Sequence, residues 1–419
     1  MESFFLLTKI VFIYGLSIYL IFKKGELSII YLPLLFFVEK IVGAIEPAYQ
    51  YYGLVCLLIL LLIIRNLGAF RNNIWSLLLI VYFLFLLNRS SNLQLIRPYV
   101  FSVIWLFTLV PLIPSIYKKY TVEVVMKELK QSCLLILILF IANAMAATLF
   151  KYAPIEMYGI TSGVRYGNIW AAGFNTLPVA FLLIFLYGIS ERKLFYLFVS
   201  IVSVFFIMLT LRRTVMGLTA FAILISLLTM LTRQKSKMLL FSIGILAVAG
   251  YFIYTYTDFM SEFKERVELR KLDERDLAEE KRFIEYNLLY DDMFVYKDYS
   301  PWYGYELFNS AGNYGRGILG ERSLHGDIPN LIHSSGLIGV TLYLLMIGTS
   351  FWQAIRSVKL YQEKLIVLFC AGVFVVFTVT GRYTENAASL LWLLLLMLPV
   401  AQHEQPENKL QIIKQPEAV

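Results

Sequence analysis

The chain has 419 residues, 59% of them apolar and 16% charged, and its mean hydropathy of +0.70 excludes a water-soluble globular protein. The apolar runs are continuous rather than alternating, which excludes an outer-membrane barrel and leaves a polytopic helical membrane protein. The formal charge of +8 is what Lys- and Arg-rich cytoplasmic loops produce, so nothing basic is left over for nucleic acid.

In chain order the apolar runs predict spans at roughly 4–22, 27–45, 48–64, 74–87, 97–116, 132–150, 169–189, 194–211, 214–232, 238–256, 329–352, 365–381 and 388–400. The runs 74–87 and 388–400 are short, and 27–45 carries Glu39 and Lys40, so a re-entrant or interfacial segment would lower the count from thirteen to twelve. The first run, Phe4 to Phe22, contains Lys9 and lacks a small-residue cleavage site after it, so it predicts a retained helix and not a removable signal. Lys118 to Gln131 predicts an amphipathic interfacial helix. Cys56, Cys133 and Cys370 lie in apolar runs and read as small buried hydrophobes, with neither a disulfide framework nor a zinc site.

Alternate connections divide the basic residues unevenly. One set holds sixteen, among them Lys23, Lys24, Arg65, Lys118, Lys119, Lys130, Arg233, Lys235 and Lys364; the other holds eight, including Lys40, Arg89, Arg165, Arg212, Arg213 and Arg382. The positive-inside rule puts the first set and the C-terminal tail in the cytoplasm. The long hydrophilic segment 257–328 then lies outside, with sixteen acids and ten bases. Its Gly- and Pro-free stretch Glu262 to Met293 predicts one long or two short helices, and Tyr299 to Arg322 predicts irregular loop. The expected organisation is therefore all-α: spans over 1–256, an outer loop domain at 257–328, further spans over 329–401 and a disordered tail at 402–419.

Arginines on the outer face oppose the topological bias, so they need another reason. Arg212 and Arg213 stand between two spans with almost no loop around them, where they must snorkel or face a polar cavity; an interfacial stop signal is the plainer alternative. Arg165 precedes a span, and Arg282 belongs to the outer segment, where a solvated face explains it equally well. His325 precedes Asp327, which is expected to cap the next helix with Pro329 in its first turn. A surface His beside a helix N-terminus can exchange protons at neutral pH or simply accompany a structural cap. His333, further into that helix, reads as a packing residue. No P-loop, Gly-x-Ser-x-Gly motif or metal-spaced His/Cys cluster is present, so no cofactor or metal is expected.

The order of Gly-Val-Arg165, Thr-Leu-Arg-Arg213-Thr, an outer loop with Arg282 and Trp-Tyr-Gly304-Tyr, then His325-x-Asp327 and Gly-Leu-Ile-Gly339, resembles the bacterial O-antigen polymerase and O-antigen ligase superfamily over about residues 130–400. The resemblance implies an inner-membrane, multi-pass, metal-independent glycosyltransferase of lipopolysaccharide or related polysaccharide synthesis, with twelve or thirteen helices and a large periplasmic loop domain. Its substrate would be an oligosaccharide on undecaprenyl pyrophosphate, and a flippase and chain-length regulator its pathway partners. Arginines matching Arg165, Arg213 and Arg282 would hold the pyrophosphate, and His325 would meet the acceptor, with Asp327 or Glu306 as alternative bases. Arg212 stands where a Ser is usual, which leaves open which of the pair reaches the ligand, and only Asn168 and Asn175 follow the first Arg. Polymerisation of repeat units is the leading expectation. Ligation of finished glycan to a lipid A-core acceptor and transport of the lipid-linked oligosaccharide are the alternatives.

Overall fold

The computed structural model describes residues 2–41, 48–150, 156–157, 160–161, 171–210, 212–229, 281–380 and 383–403, with isolated positions between 244 and 261. The fold is helical. Among the described residues seven segments are long and apolar enough to cross a membrane: 3–39, 48–65, 93–117, 122–147, 173–190, 327–357 and 361–380. Four shorter apolar helices lie at 74–87, 194–208, 213–228 and 386–396. A two-residue antiparallel pair, β1 (Glu156–Met157) with β2 (Ile160–Thr161), is the only named sheet among the described residues.

The first of these segments folds back on itself. Helix α1 (Glu2–Tyr19) runs through a π turn to Gly25, whose φ of +55° suits a residue without Cβ and ends the regular helix. A 3-10 stretch then leads into α2 (Leu32–Glu39), and Lys9 Nζ donates to the Glu39 carbonyl at 2.8 Å, so α1 and α2 lie side by side. The chain continues through α3 (Ala48–Arg65), α4 (Ile74–Leu87), α5 (Leu93–Tyr117), α6 (Val122–Phe150), α7 (Thr176–Ser190), α8 (Leu194–Leu209) and α9 (Arg213–Leu228). After α10 (Lys281–Tyr290) come α11 (Asp327–Ser357), α12 (Tyr361–Thr380) and α13 (Asn386–Leu396).

Helix α13 is buried along its whole length, and α2, α5, α7 and α12 pack around it. A helix apolar on every side needs protein or lipid around it, and α13 is covered by protein. The outer helices differ. Phe4, Leu7, Val11 and Ile18 of α1, Leu57, Leu60 and Ile64 of α3, and Leu78, Val81 and Phe85 of α4 are exposed at helical spacing. Leaving such a side chain in water forgoes about 1.5–3 kcal/mol of burial, so these stripes require lipid.

Side-chain contacts sort the connections into two ends. At one end Lys24 meets Glu128 at 2.5 Å, Lys119 meets Glu26 at 2.7 Å and Lys130 meets Glu191 at 3.1 Å. Gln402 joins them, donating its backbone N–H to the Tyr120 carbonyl at 2.9 Å, while His403 lies 2.7 Å from Glu363. Two sequence expectations change here. The stretch 118–131 is not a separate interfacial helix: a turn ends at Thr121 and α6 starts at Val122, because no Gly or Pro interrupts 122–150. The tail is ordered as far as His403, since Gln402 and His403 complete hydrogen bonds that the 118–122 turn and Glu363 would otherwise lack.

At the opposite end the segment after α10 folds over the bundle. It has a small core of Leu289, Met293, Tyr314 and Leu324, so the loop predicted as irregular is irregular yet packed. Its Pro301–Tyr305 turn inserts into a break in α11. Gly336 there has a φ of +63°, Leu337 N donates to Pro301 O at 2.8 Å, and Tyr305 N donates to His333 O at 2.7 Å. The backbone groups released by the broken helix are thus satisfied by the loop. Gly304 and Gly336 make this approach possible: a Cβ on Gly336 would lie 2.3 Å from Trp302 backbone, and one on Gly304 2.4 Å from the His333 carbonyl.

Candidate functional site

The loop-covered end holds the candidate residues that the structure describes. Arg165 lies outside the described residues, and so does the side chain of Arg282, whose backbone belongs to the first turn of α10.

Helix α9 starts on the arginine pair. Arg212 is its N-cap in extended conformation, and Arg213 is the first helical residue, with no acid in that first turn. Two guanidiniums beside the positive end of a helix dipole make this corner attractive to an anion. The two side chains differ. Arg212 is half-buried with its guanidinium 4.9 Å from the centre of the Phe174 ring, whereas Arg213 is exposed. Arg213 is therefore the freer of the two to meet a ligand.

His325 is fixed by a residue that sequence reasoning missed. Glu285 of α10 is fully buried; its Oε2 accepts the His325 backbone N–H at 3.0 Å and its Oε1 accepts Arg322 Nε–H at 3.0 Å. The same Oε1 is 3.4 Å from His325 Nδ1. Burial alone would raise the Glu285 pKa, but the hydrogen bonds from His325 and Arg322 outweigh it and hold the carboxyl below its ordinary value. Nδ1 is buried against this carboxylate while a third of the His325 side chain is exposed, so the exposed edge of the ring carries Nε2. Beside it the Tyr314 hydroxyl is pushed up to about 12, by burial first and by Glu285 second. Nothing in the sequence separates Glu285 from the acids around it, except that it falls among Phe283, Ile284, Leu288 and Leu289 in a run otherwise rich in charge.

Asp327 is buried, but it is the first residue of α11 and not its cap. Gly326 takes the cap position at φ +139°, where a Cβ would stand 2.9 Å from the Thr378 carbonyl; Asp could not fit there. This contact seats the His325–Asp327 turn on the end of α12. Helix α12 also packs along α9, with the Phe221 and Phe369 rings stacked at 5.5 Å. The helix that begins at Arg213 and the turn that carries His325 thus both pack on α12.

Glu306 lies elsewhere, accepting hydrogen bonds from Ser91 Oγ and Asn309 Nδ2, both at 2.9 Å, over the α4–α5 turn. His333 is fully buried; Nε2 donates to the Asn313 carbonyl at 3.0 Å, and Tyr299, Tyr305 and Tyr314 surround the ring, as expected of a packing residue. Among the described residues no three His, Cys, Asp or Glu side chains gather closely enough to hold a metal ion.

No protein-family model matches the chain, and no curated protein matches it by sequence.

Proposed function

We propose that the chain polymerises lipid-linked oligosaccharide repeat units, transferring the growing glycan from undecaprenyl pyrophosphate at the periplasmic face of a bacterial inner membrane. On this reading the end bearing Lys24, Lys119 and Lys130 faces the cytoplasm, 257–328 is a periplasmic loop domain, and twelve or thirteen helices span the bilayer. The observation that carries the reading is an exposed arginine at the N-terminus of α9 together with an imidazole set beside the buried Glu285 carboxylate, on a turn that packs on α12 as α9 does.

Glycosyl transfer needs both groups. An acceptor hydroxyl gives its proton to His325 Nε2 as its oxygen bonds to the anomeric carbon; the bond from that carbon to the pyrophosphate oxygen breaks, and the lipid pyrophosphate leaves with the electron pair. Arg213, with Arg165 and Arg282, stabilises the charge growing on the leaving group through bidentate contacts that strengthen as the bond breaks. Glu285 lies 3.4 Å from Nδ1 and accepts the His325 backbone N–H, which sets the ring with Nε2 outward, toward an acceptor. Asp327, the alternative base, is buried at the first turn of α11, two residues after His325. A flippase and a chain-length regulator of the same pathway are the partners this reading implies. Deletion of the gene, followed by gel analysis of surface polysaccharide, tests it. Single-repeat caps are expected; unattached polymer would indicate a ligase, and an unchanged pattern would contradict both.

A further inference from the structure

The exposed face of α11 ends in the same way on both sides. Below the break at Gly336 the helix is regular, and Leu344, Leu345, Trp352 and Ile355 are exposed at helical spacing. Thr341 on that face is exposed too, but its hydroxyl is spent on the Leu337 carbonyl at 2.8 Å. From Leu337 to Ile355 the helix rises about 27 Å, which matches the hydrocarbon core of a bilayer, about 30 Å thick. At the far end Trp352, 55% exposed, lies under the Arg356 guanidinium at 4.1 Å. At the near end stands the Pro301–Tyr305 turn, with Trp302 58% and Tyr303 42% exposed.

The turn is fixed at that level from two sides. Leu337 N donates to Pro301 O at 2.8 Å and Ile338 N to Trp302 O at 3.4 Å, so it meets α11 where the exposed face begins. The Tyr82 hydroxyl of α4 donates to the Ser335 carbonyl at 2.7 Å and lies 3.3 Å from that of Trp302. Helix α4 has its own exposed apolar stripe, which includes Leu78, Val81 and Phe85, and just past its end the Arg89 guanidinium stands 5.6 Å from the centre of the Tyr303 ring. Arg89 is exposed, and no carboxylate pairs with it among the described residues.

These features specify their surroundings. Two stripes that require lipid run up to the turn and stop there, so the turn lies where hydrocarbon gives way to headgroups. Trp and Tyr favour that layer because an apolar ring carries a polar tip. An arginine there extends its charge outward from the apolar stem, and a lipid phosphate offers the planar guanidinium the partner that the protein does not. The Trp352–Arg356 pair repeats the arrangement at the opposite boundary, one hydrocarbon thickness away.

We propose that the Pro301–Tyr305 turn anchors the outer segment in the membrane: Trp302 and Tyr303 lie in the headgroup layer at the loop-covered end, and Arg89 beside them contacts a phospholipid phosphate. The turn that holds α11 open is thereby also the turn that holds the loop against the leaflet. The inference rests on the fold alone and is independent of the reaction proposed above.

Tryptophan fluorescence of the full-length protein in phosphatidylcholine and phosphatidylglycerol vesicles tests it, with the emission lost in Trp302→Phe taken as the Trp302 signal and that lost in Trp352→Phe as the signal of the opposite boundary. Both signals are expected to be quenched more by lipids brominated near the headgroup than by lipids brominated at the chain ends, and to be little affected by iodide on both sides of the membrane. Arg89→Glu, which sets a negative charge against the phosphate, should lose most of the Trp302 quenching by lipid, whereas Arg89→Lys should keep it; Arg89→Gln serves in place of Arg89→Glu if that variant fails to insert. A Trp302 signal quenched by iodide and not by brominated lipid would put the turn in water and overturn the anchor. A signal reached by neither would mean that protein, such as a second copy of the chain, covers the turn, and stronger quenching from the chain ends would move the boundary away from it; each also overturns the anchor. Undiminished lipid quenching in the acidic or neutral Arg89 variant would overturn the phosphate contact. None of these readings uses activity, so the anchor and the polymerase reading stand or fall separately.

Discussion

The two ends of the bundle carry polar side chains of the same kinds and treat them differently. At the end with Lys24 and Lys130, charges close on one another: Glu128 accepts from both Lys24 and the Tyr31 hydroxyl, and Glu363 accepts from Lys359 N, Leu360 N and His403. At the other end Arg213 is exposed, His325 turns Nε2 outward, and Asn386 Oδ1 has no partner. Buried polar atoms without a partner occur at both ends, Asn73 Oδ1 at the first and Asn386 Oδ1 at the second, so the difference lies in the exposed Arg213 and the outward edge of His325, which a ligand can reach. Substitutions at the two ends should therefore differ in kind, stability at the first and turnover at the second.

The largest effect is expected at His325. His325→Ala should lower polymerisation by about two to four orders of magnitude, the usual contribution of a general base, and leave donor binding nearly intact. His325→Gln, which keeps a hydrogen-bonding group, separates roles: substantial activity with a raised acceptor KM would mean that the ring only binds the acceptor. Arg213→Lys keeps the charge but removes the planar fork, and should cost about 100-fold in turnover at unchanged expression and melting temperature. Full activity in that variant would end the pyrophosphate assignment.

Smaller effects fall on stability. Gly336→Ala combines an unfavourable positive φ with a Cβ 2.3 Å from Trp302 backbone, so a loss of about 3 kcal/mol or more is expected, read as lower yield and melting temperature. Glu128→Ala leaves Lys24 without its partner in a site where both side chains are mostly covered; about 2 kcal/mol of stability should go, with turnover per folded molecule unchanged. An equal loss of turnover would blur the contrast between the ends.

The smallest effect is in pH. The Glu285 carboxyl titrates lower in the folded chain than in the unfolded one, so between the two values the unfolded chain binds more protons and stability rises with pH. The contribution is complete above the unfolded value of about 4.3 and is lost as pH falls through the folded value. Melting temperatures measured from acid to neutral pH should show this slope, and Glu285→Gln should flatten it.

The helices were largely legible in the amino-acid sequence, because a run such as Ile74 to Leu87 has no other stable conformation in a bilayer. Part of the grouping of loops was legible too: the connections near Lys24, Lys119 and Arg192, placed in one set by their Lys and Arg, are joined by the Lys24, Lys119 and Lys130 ion pairs, while the connection at 233–237 lies outside the described residues. The site was less so. The spacing of His325 and Asp327 suggested an Asp cap, but close approach to the Thr378 carbonyl requires Gly326 there, and that contact spans some fifty residues of chain. Glu285 and Arg322 are common polar residues whose roles follow from burial, and burial of a charge has no period to read. The break at Gly336 was hidden as well, since Gly in a membrane helix is ordinary until a loop is seen to fill the space.

Polymerisation at the loop-covered end is tested most directly with the purified protein in vesicles, supplied with a repeat unit on undecaprenyl pyrophosphate in buffer containing EDTA. A ladder of lengthened glycans, with one undecaprenyl pyrophosphate released per bond formed, is predicted for the wild-type chain and its loss for Arg213→Lys. Donor that crosses the vesicle membrane without lengthening, or a ladder that forms equally with Arg213→Lys, would contradict it.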